Sequence, residues 1–312
     1  MKKCTQCNTG LLDAARFCHS CGVKVIHEVM DCSNCNTTNP YDSRFCTNCG
    51  LDFSIEKTNP HTYKAKYPIN FTEAVKISEQ IKVYFFRFFK NKIKEEQDLN
   101  RYDEYLKKLY TSEYGKTLEM RMQHLAEETY SIHASQETAV PQKVDVLLAK
   151  SFDSQLNHFI CMYCKDINEV EIPEETLAYE DARKGEIDLQ TMILHFLDLE
   201  KEKETFYTDF ILMPINKLKN ASQAFLFPAK DEKIMLIADQ TIFGSCKEGF
   251  AMTENGLYGK AHFESPQKVY YKDIREIKKE QNWIAVNGLF FNINPSVNVK
   301  MLKLLRKLGE LY

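Results

Sequence analysis

At 312 residues, with 44% hydrophobic and 27% charged side chains, the chain is long enough for two or three units with ordinary cores, which excludes a disordered or fibrous class. No run of about 18 apolar residues occurs, so no helical membrane span is expected. The formal net charge is −3, spread as +1 over residues 1–50, zero over 51–140, −7 over 141–229 and +3 over 230–312, a profile without the basic footprint of a nucleic-acid-binding protein.

The first 50 residues repeat. "RFCHSCG" at 16–22 returns as "RFCTNCG" at 44–50, and the same offset of 28 carries Cys4, Cys7, Cys18 and Cys21 onto Cys32, Cys35, Cys46 and Cys49. Each unit therefore reads Cys-x2-Cys, ten residues, Cys-x2-Cys, the spacing of two knuckles that converge on one tetrahedral zinc. Asn8, Gly22, Asn36 and Gly50 follow the knuckles and are the residue types that most readily take positive φ. Disulfides fit poorly: "MKKCTQCNTG" does not read as a signal peptide, so a reducing cytosol is expected. Fifty residues with so few large apolar side chains need the metal as their core, and structural zinc supplies roughly 10 to 16 kcal/mol of apparent binding free energy in small fingers. Phe17 and Phe45 are the expected packing partners of the two sites. Four thiolates fill the coordination sphere, so two closed, non-catalytic zinc sites per chain are expected.

These cysteines and knuckles resemble the double zinc ribbon, or DZANK-type, modules near the N-terminus of many prokaryotic multidomain proteins. The resemblance implies a metal and a small binding or spacer module, over residues 1–51.

Residues 52–69 contain "SIEKTNPHTYKAKYP", with two prolines and little apolar content, and read as a linker. A mainly helical domain is expected over 70–220. Asn70 and Glu73 read as a helix cap before Ile77, Ile81, Tyr84, Phe85 and Phe88 at helical spacing. The aromatic "VYFFRFFKNK" reads as a buried helix, with a partner-binding or membrane-surface helix as the rival use. "YDEYLKKLY", "TLEMRMQHLAEETYSI", "VDVLLAKSFDSQLNHFICMYC" and "LQTMILHFLDLEKE" also space apolar residues by three and four. Gly185 and Asp188 mark a stop and a new start, and the acidic loop between the helices lacks the ligand pattern of a calcium site.

In "HFICMYC", Cys161 and Cys164 form one more Cys-x2-Cys, with His158 nearby. A redox dithiol, a third zinc site and plain packing compete. The surrounding Phe152, Leu156, Phe159 and Ile160 favour packing. His195 reads as a core histidine.

Residues 221–312 change to strand-like runs: "QAFLFPA", "KIMLIAD", "GFAMT", "GLYGKAHF", "KVYYKDI" and "WIAVNGLFFNI". Asn255-Gly256 and Asn287-Gly288 carry the signature of type I′ hairpin turns. Asn294-Pro295 then opens a helix with Val297, Met301, Leu304, Leu308 and Leu311 on one face. Antiparallel strands closed by one C-terminal helix resemble a pleckstrin-homology-like (PH-like) barrel. The string at 239–260 is similar to a segment of bacterial proteins with PH-like C-terminal domains, through Thr241, Phe243, Gly244, Ser245, Lys247, Gly249, Phe250, Ala251, Thr253 and Gly256. That resemblance implies a fold and no reaction. Lys300, Lys303, Arg306 and Lys307 are expected on the exposed side of the last helix, as helix-end charge or as a basic face for an acidic partner in this chain or another.

No phosphate loop, nucleophile elbow, His-Glu-x2-His or dinucleotide fingerprint occurs. The sequence therefore reads as a multidomain α+β protein: tandem zinc ribbons, a mainly helical middle domain and a C-terminal PH-like antiparallel β domain closed by a helix. The expected function is that of a cytoplasmic, non-enzymatic zinc adaptor with a protein partner. Nucleic-acid binding through the ribbons and a thiol redox role for Cys161 and Cys164 are the alternatives.

Overall fold

The structure is a computed structural model that describes residues 65–72, 76–135 and 139–312, and in the N-terminal part residues 2–3, 9–11, 20, 29–31, 37–40, 43 and 47–48. The eight ribbon cysteines, Phe17, Phe45, Glu73 and the first part of the expected linker lie outside the described residues. The chain divides into two compact units, residues 1–77 with 126–148, and residues 78–125 with 149–312.

The first unit opens with two hairpins. Strand β1 (Lys2–Lys3) pairs antiparallel with β2 (Gly10–Leu11), and β3 (Val29–Asp31) with β4 (Thr38–Pro40). The partners Lys3↔Gly10 and Asp31↔Thr38 are separated by the same 28 residues as the cysteines, so the repeat in sequence is a repeat in backbone pairing. Asn39 is buried and bridges its own hairpin to residue 47. Its amide donates to the Thr37 carbonyl at 2.6 Å, and its Oδ1 accepts from Thr47 N at 2.8 Å and from the Thr47 hydroxyl at 2.9 Å. Farther along, the buried Asp145 accepts the amides of Lys66 and Tyr67, each at 2.7 Å, and the Phe71 ring stacks on His133 at 3.9 Å. The stretch around Lys66, expected as linker, is thus held, because one carboxylate accepts two consecutive backbone amides.

The described helices are α1 (Ile77–Glu96), α2 (Tyr102–Thr111), α3 (Glu113–Lys116), α4 (Leu118–Ala134), α5 (Val140–Tyr163), α6 (Leu189–Leu197), α7 (Ile215–Ala224) and α8 (Pro295–Leu311). In the second unit α1 buries Ile81, Phe85, Phe89 and Ile93, a strict i, i+4 stripe. Phe85 meets Phe152 of α5 edge-on at 5.6 Å, and Phe89 meets Phe159 at 5.8 Å, so the aromatic run is core. Asp188 caps α6 by accepting Thr191 N at 2.7 Å, and Asn294 caps α8 by accepting Val297 N at 2.8 Å, as the sequence predicts.

The sheet that follows has the order β5-β6-β7-β8-β9: β5 (Thr205–Tyr207), β6 (Ile234–Asp239), β7 (Gly249–Thr253), β8 (Gly256–Lys260) and β9 (Gln267–Tyr270), all antiparallel. A second sheet follows, β10 (Ile277–Lys279), β11 (Ile284–Val286) and β12 (Leu289–Phe291). Alternation along the strands sends Leu236, Ala238, Phe250, Met252 and Leu257 into a core shared with β11, β12, α6 and α8. Ile237, Ala251 and Tyr258 point the other way, under Ala221 of α7 and the adjoining Phe225 and Leu226. The chain is therefore a mixed helix and sheet protein with helices in the middle and an antiparallel sheet at its C-terminal end.

Two local expectations are corrected. "QAFLFPA" is no strand: Gln223 and Ala224 end α7, and Phe225 and Leu226 are buried as the apolar side chains of that helix's exit. Asn255-Gly256 is no type I′ turn, since neither residue has positive φ; the Thr253 hydroxyl closes this connection by accepting Asn255 N at 3.3 Å and Gly256 N at 3.1 Å. Asn287-Gly288, with φ of 51° and 86°, does follow the I′ pattern.

Gly249 has φ of +138°, and a Cβ there would lie 2.0 Å from the Ala238 carbonyl oxygen, whereas Gly288 opens onto free space. In urea denaturation Gly249→Ala is expected to lose at least about 3 kcal/mol, from strain plus overpacking against backbone, and Gly288→Ala only about 1 kcal/mol.

Candidate functional site

The four cations singled out on α8 form the best-defined polar site of the second unit, but not on an exposed face. Lys300 is 3% and Lys303 9% exposed, and Arg306 and Lys307 are half-buried. Every one is engaged. Lys303 Nζ donates to Glu96 at 3.0 Å and to Asn157 Oδ1 at 2.6 Å. Arg306 donates to Glu95 at 2.7 Å, Lys307 to the Glu180 carbonyl at 2.8 Å, and Lys300 to Glu202 at 2.8 Å. The expected exposed face is therefore corrected: acidic side chains of other elements cover Lys300, Lys303 and Arg306, and the Glu180 carbonyl meets Lys307.

Beneath Lys303 lies Lys92 of α1, which donates to Glu96 at 2.8 Å and to Asp153 of α5 at 2.6 Å. Two ammoniums thus share the Glu96 carboxylate. Burial opposes the charge on Glu96, but Lys303 and Lys92 outweigh it and hold its pKa below the usual carboxylate range. Burial likewise opposes Lys92, and Asp153 and Glu96 overcome it, so Lys92 is raised. Lys303 is lowered: burial and the charge of Lys92 outweigh the attraction of Glu96. A second cluster holds the start of α8. Glu202 accepts from Asn294 (3.0 Å), Ser296 (2.7 Å) and Lys300; burial works against its charge, and these bonds lower its pKa.

Lys92, Glu96, Asp153, Asn157 and Glu202 were not singled out from sequence. A signal existed: Lys92 and Glu96 lie three and seven residues beyond Phe89, so a charged i, i+4 pair adjoins the buried apolar stripe of α1. A cavity of about 100 Å³ adjoins the cluster, with Asp153, Asn157, Glu180 and Lys303 among its walls.

Cys161 and Cys164 are buried, free thiols at the end of α5. Burial pushes Cys161 up to about 11 and Cys164 up to about 12, and Cys161 Sγ donates to the Ile172 carbonyl at 3.3 Å. Neither is an activated thiolate. His158 is exposed beside Tyr114, and among the described residues no group of three or more His, Cys, Asp or Glu side chains is placed to hold a metal. His195, expected in the core, is half-buried instead: its Nδ1 pairs with the Tyr179 hydroxyl at 2.8 Å, and it lines a cleft with Asp198, Glu200, Glu204 and Phe206.

Two outcomes follow. Lys303→Met is expected to cost about 3 to 5 kcal/mol because it strips a partner from the buried Glu96, and the double variant Glu96→Gln, Lys303→Met is expected to recover most of that. Because the folded pKa of Glu96 lies below 4.5, its contribution is complete above that pH and is lost as pH falls through the folded value, so the double variant is expected to show a shallower acid limb in chemical denaturation. For the thiols, peptide mapping after iodoacetamide at neutral pH is expected to find Cys161 and Cys164 unmodified in the native chain and alkylated after denaturation.

Among the described residues no helix is long and apolar enough to cross a membrane. Comparison with curated proteins and with solved structures returned no match. Comparison with family models places residues 4–50 in one of them, described as the double zinc ribbon, and that span holds all eight repeated cysteines: the N-terminal segment of this chain is a double zinc ribbon.

Proposed function

We propose that the chain is a non-catalytic zinc-containing adaptor that works by protein recognition in the cytoplasm. The observation that carries this reading is the double zinc ribbon at residues 4–50, a module whose metal is closed by four thiolates and therefore joins rather than reacts. Cys4, Cys7, Cys18 and Cys21 would hold one zinc, and Cys32, Cys35, Cys46 and Cys49 a second, and the metal supplies folding free energy. Sequential pairing is supported by the bridge from Asn39 to Thr47. Asn39 belongs to the hairpin whose strands flank Cys32 and Cys35 in sequence, and Thr47 stands between Cys46 and Cys49 in sequence, which favours pairing these two knuckles on one metal.

The rest of the chain is the body to which the ribbons are attached. We read residues 221–312 as a bacterial PH-like domain, supported by four antiparallel strands β6 to β9, a three-stranded second sheet and the closing helix α8. β5 and α6 add to this scheme, extending the sheet by one strand and sharing the core of α8. The four cations of α8 take their acidic partners from the chain itself, which leaves them to hold the scaffold and not to recruit a partner. The thiol redox alternative has little support, since both thiols are buried and protonated.

Elemental analysis is expected to give two zincs per chain, falling to one in Cys32→Ser, Cys35→Ser with the first ribbon still folded by NMR. One zinc in the parent, or melting of both ribbons in the variant, rejects the sequential pairing. A submicromolar complex with DNA or RNA at physiological salt, lost on ribbon deletion, would replace the adaptor reading with nucleic-acid binding.

A further inference from the structure

The cavity beside the α8 cluster carries in its wall two charges that the chain leaves incompletely matched. Its volume is about 100 Å³, and the exposed Lys150 and Glu310 among its lining residues connect it to the surface. A molecule of roughly five non-hydrogen atoms fits such a space. Leu177 and Phe196 give it one apolar wall, and the remainder is polar.

Most charges around the cavity meet a counter-charge: Lys92 lies between Glu96 and Asp153, Arg306 meets Glu95, Lys150 meets Asp181 and Lys307 meets Glu310. Glu180 does not. Ser154 donates to its Oε2, its Oε1 is buried without a hydrogen-bond partner, and among the described residues its carboxylate makes no ion pair. Lys307 reaches only its backbone carbonyl. The second such charge is Lys303, which shares Glu96 with Lys92 and places two of its three ammonium hydrogens, on Glu96 and Asn157.

These two groups sense each other without touching. The charge of Lys303 favours the ionised form of Glu180, yet no ion pair joins them. Burial, with the charge of Asp153, holds Glu180 above the usual carboxylate range, and burial, with the charge of Lys92, holds Lys303 below the usual lysine range. Lys92, Glu96, Asp153 and Arg306 are all shifted the other way, toward their charged forms. One cavity is therefore lined by two opposite charges, each short of a partner. A water bonds to both but offsets neither charge, and a simple ion satisfies one and is repelled by the other. A zwitterion supplies both charges and leaves the net charge of the wall unchanged.

We propose that this cavity binds a small α-amino acid, of the size of glycine or alanine, whose ammonium donates to Glu180 and whose carboxylate accepts from Lys303. Every residue of the site lies in the second unit. The assignment goes beyond the adaptor reading and does not use the ribbons, so it stands or falls separately from the zinc count.

The test is calorimetric titration of the zinc-loaded full chain with glycine, with acetate and with methylammonium, the last two each carrying one of the two charges. Glycine is expected to bind with about millimolar affinity or better, and acetate and methylammonium at least about tenfold more weakly. Glu180→Gln, which keeps the shape and removes the charge, is expected to weaken glycine binding by about tenfold or more at an unchanged melting temperature. As an independent readout, the carboxyl ¹³C resonance of Glu180, assigned by its loss in that variant, is expected to titrate at lower pH with glycine present, because a bound ammonium favours the ionised form. The proposal is overturned if glycine shows no binding up to about 50 mM, if acetate or methylammonium binds as well as glycine, if the variant binds glycine equally well, or if the Glu180 resonance titrates unchanged. The three titrations of the parent decide the matter even where the variant fails to fold.

Discussion

Everything about α8 depends on one electrostatic constraint: an ammonium as deeply buried as Lys303 must find a carboxylate or lose its charge. Glu96 meets that need, and Lys92 and Asp153 complete the arrangement from α1 and α5. Burying two ammoniums around one carboxylate costs desolvation that packing alone would not demand, and a set of hydrophobic residues of similar volume would often be no less stable. Geometry is what the charges add. A Lys–Glu bond of 3.0 Å is satisfied at one rotation and translation of the helix, whereas an apolar face tolerates several.

The same helix shows how the two kinds of force divide the work. Its Met301, Leu304, Leu305 and Leu308 enter the core between the sheets and α6, the bulk hydrophobic term. Its opposite side is buried as well, against carboxylates, so from Val297 to Leu305 each side chain is covered. A C-terminal helix enclosed on all sides is a central strut, and the sheet inherits that role: β6, β7 and the start of β8 are buried on both faces, with α7 supplying the outer cover.

The ribbon segment obeys a different physics. With too little apolar surface for a core, it relies on thiolate chemistry, and its hairpins recur at the same 28-residue interval as the cysteines. Leu11 stands at the position equivalent to Asn39 and carries no side-chain acceptor, so the two units share a plan and differ in detail.

By itself the sequence determined what periodicity and spacing encode. The ribbon repeat, helices α1 and α4 to α6, strands β6 to β9, the Asn287-Gly288 hairpin and the Asn294 cap were all legible, because each depends on residues within a few positions of one another. Strand β5 was not, since Thr205–Tyr207 becomes a strand only by pairing with β6 some thirty residues away, and "QAFLFPA" looked like a strand because a short apolar run is compatible with either period. The cations of α8 were legible as charges on one face, but whether that face met water or carboxylate was not. Lys303 and Glu96 are 207 residues apart, and only the tertiary structure decided that they touch; a buried ion pair is a property of two distant positions and the low-dielectric space that closes around them.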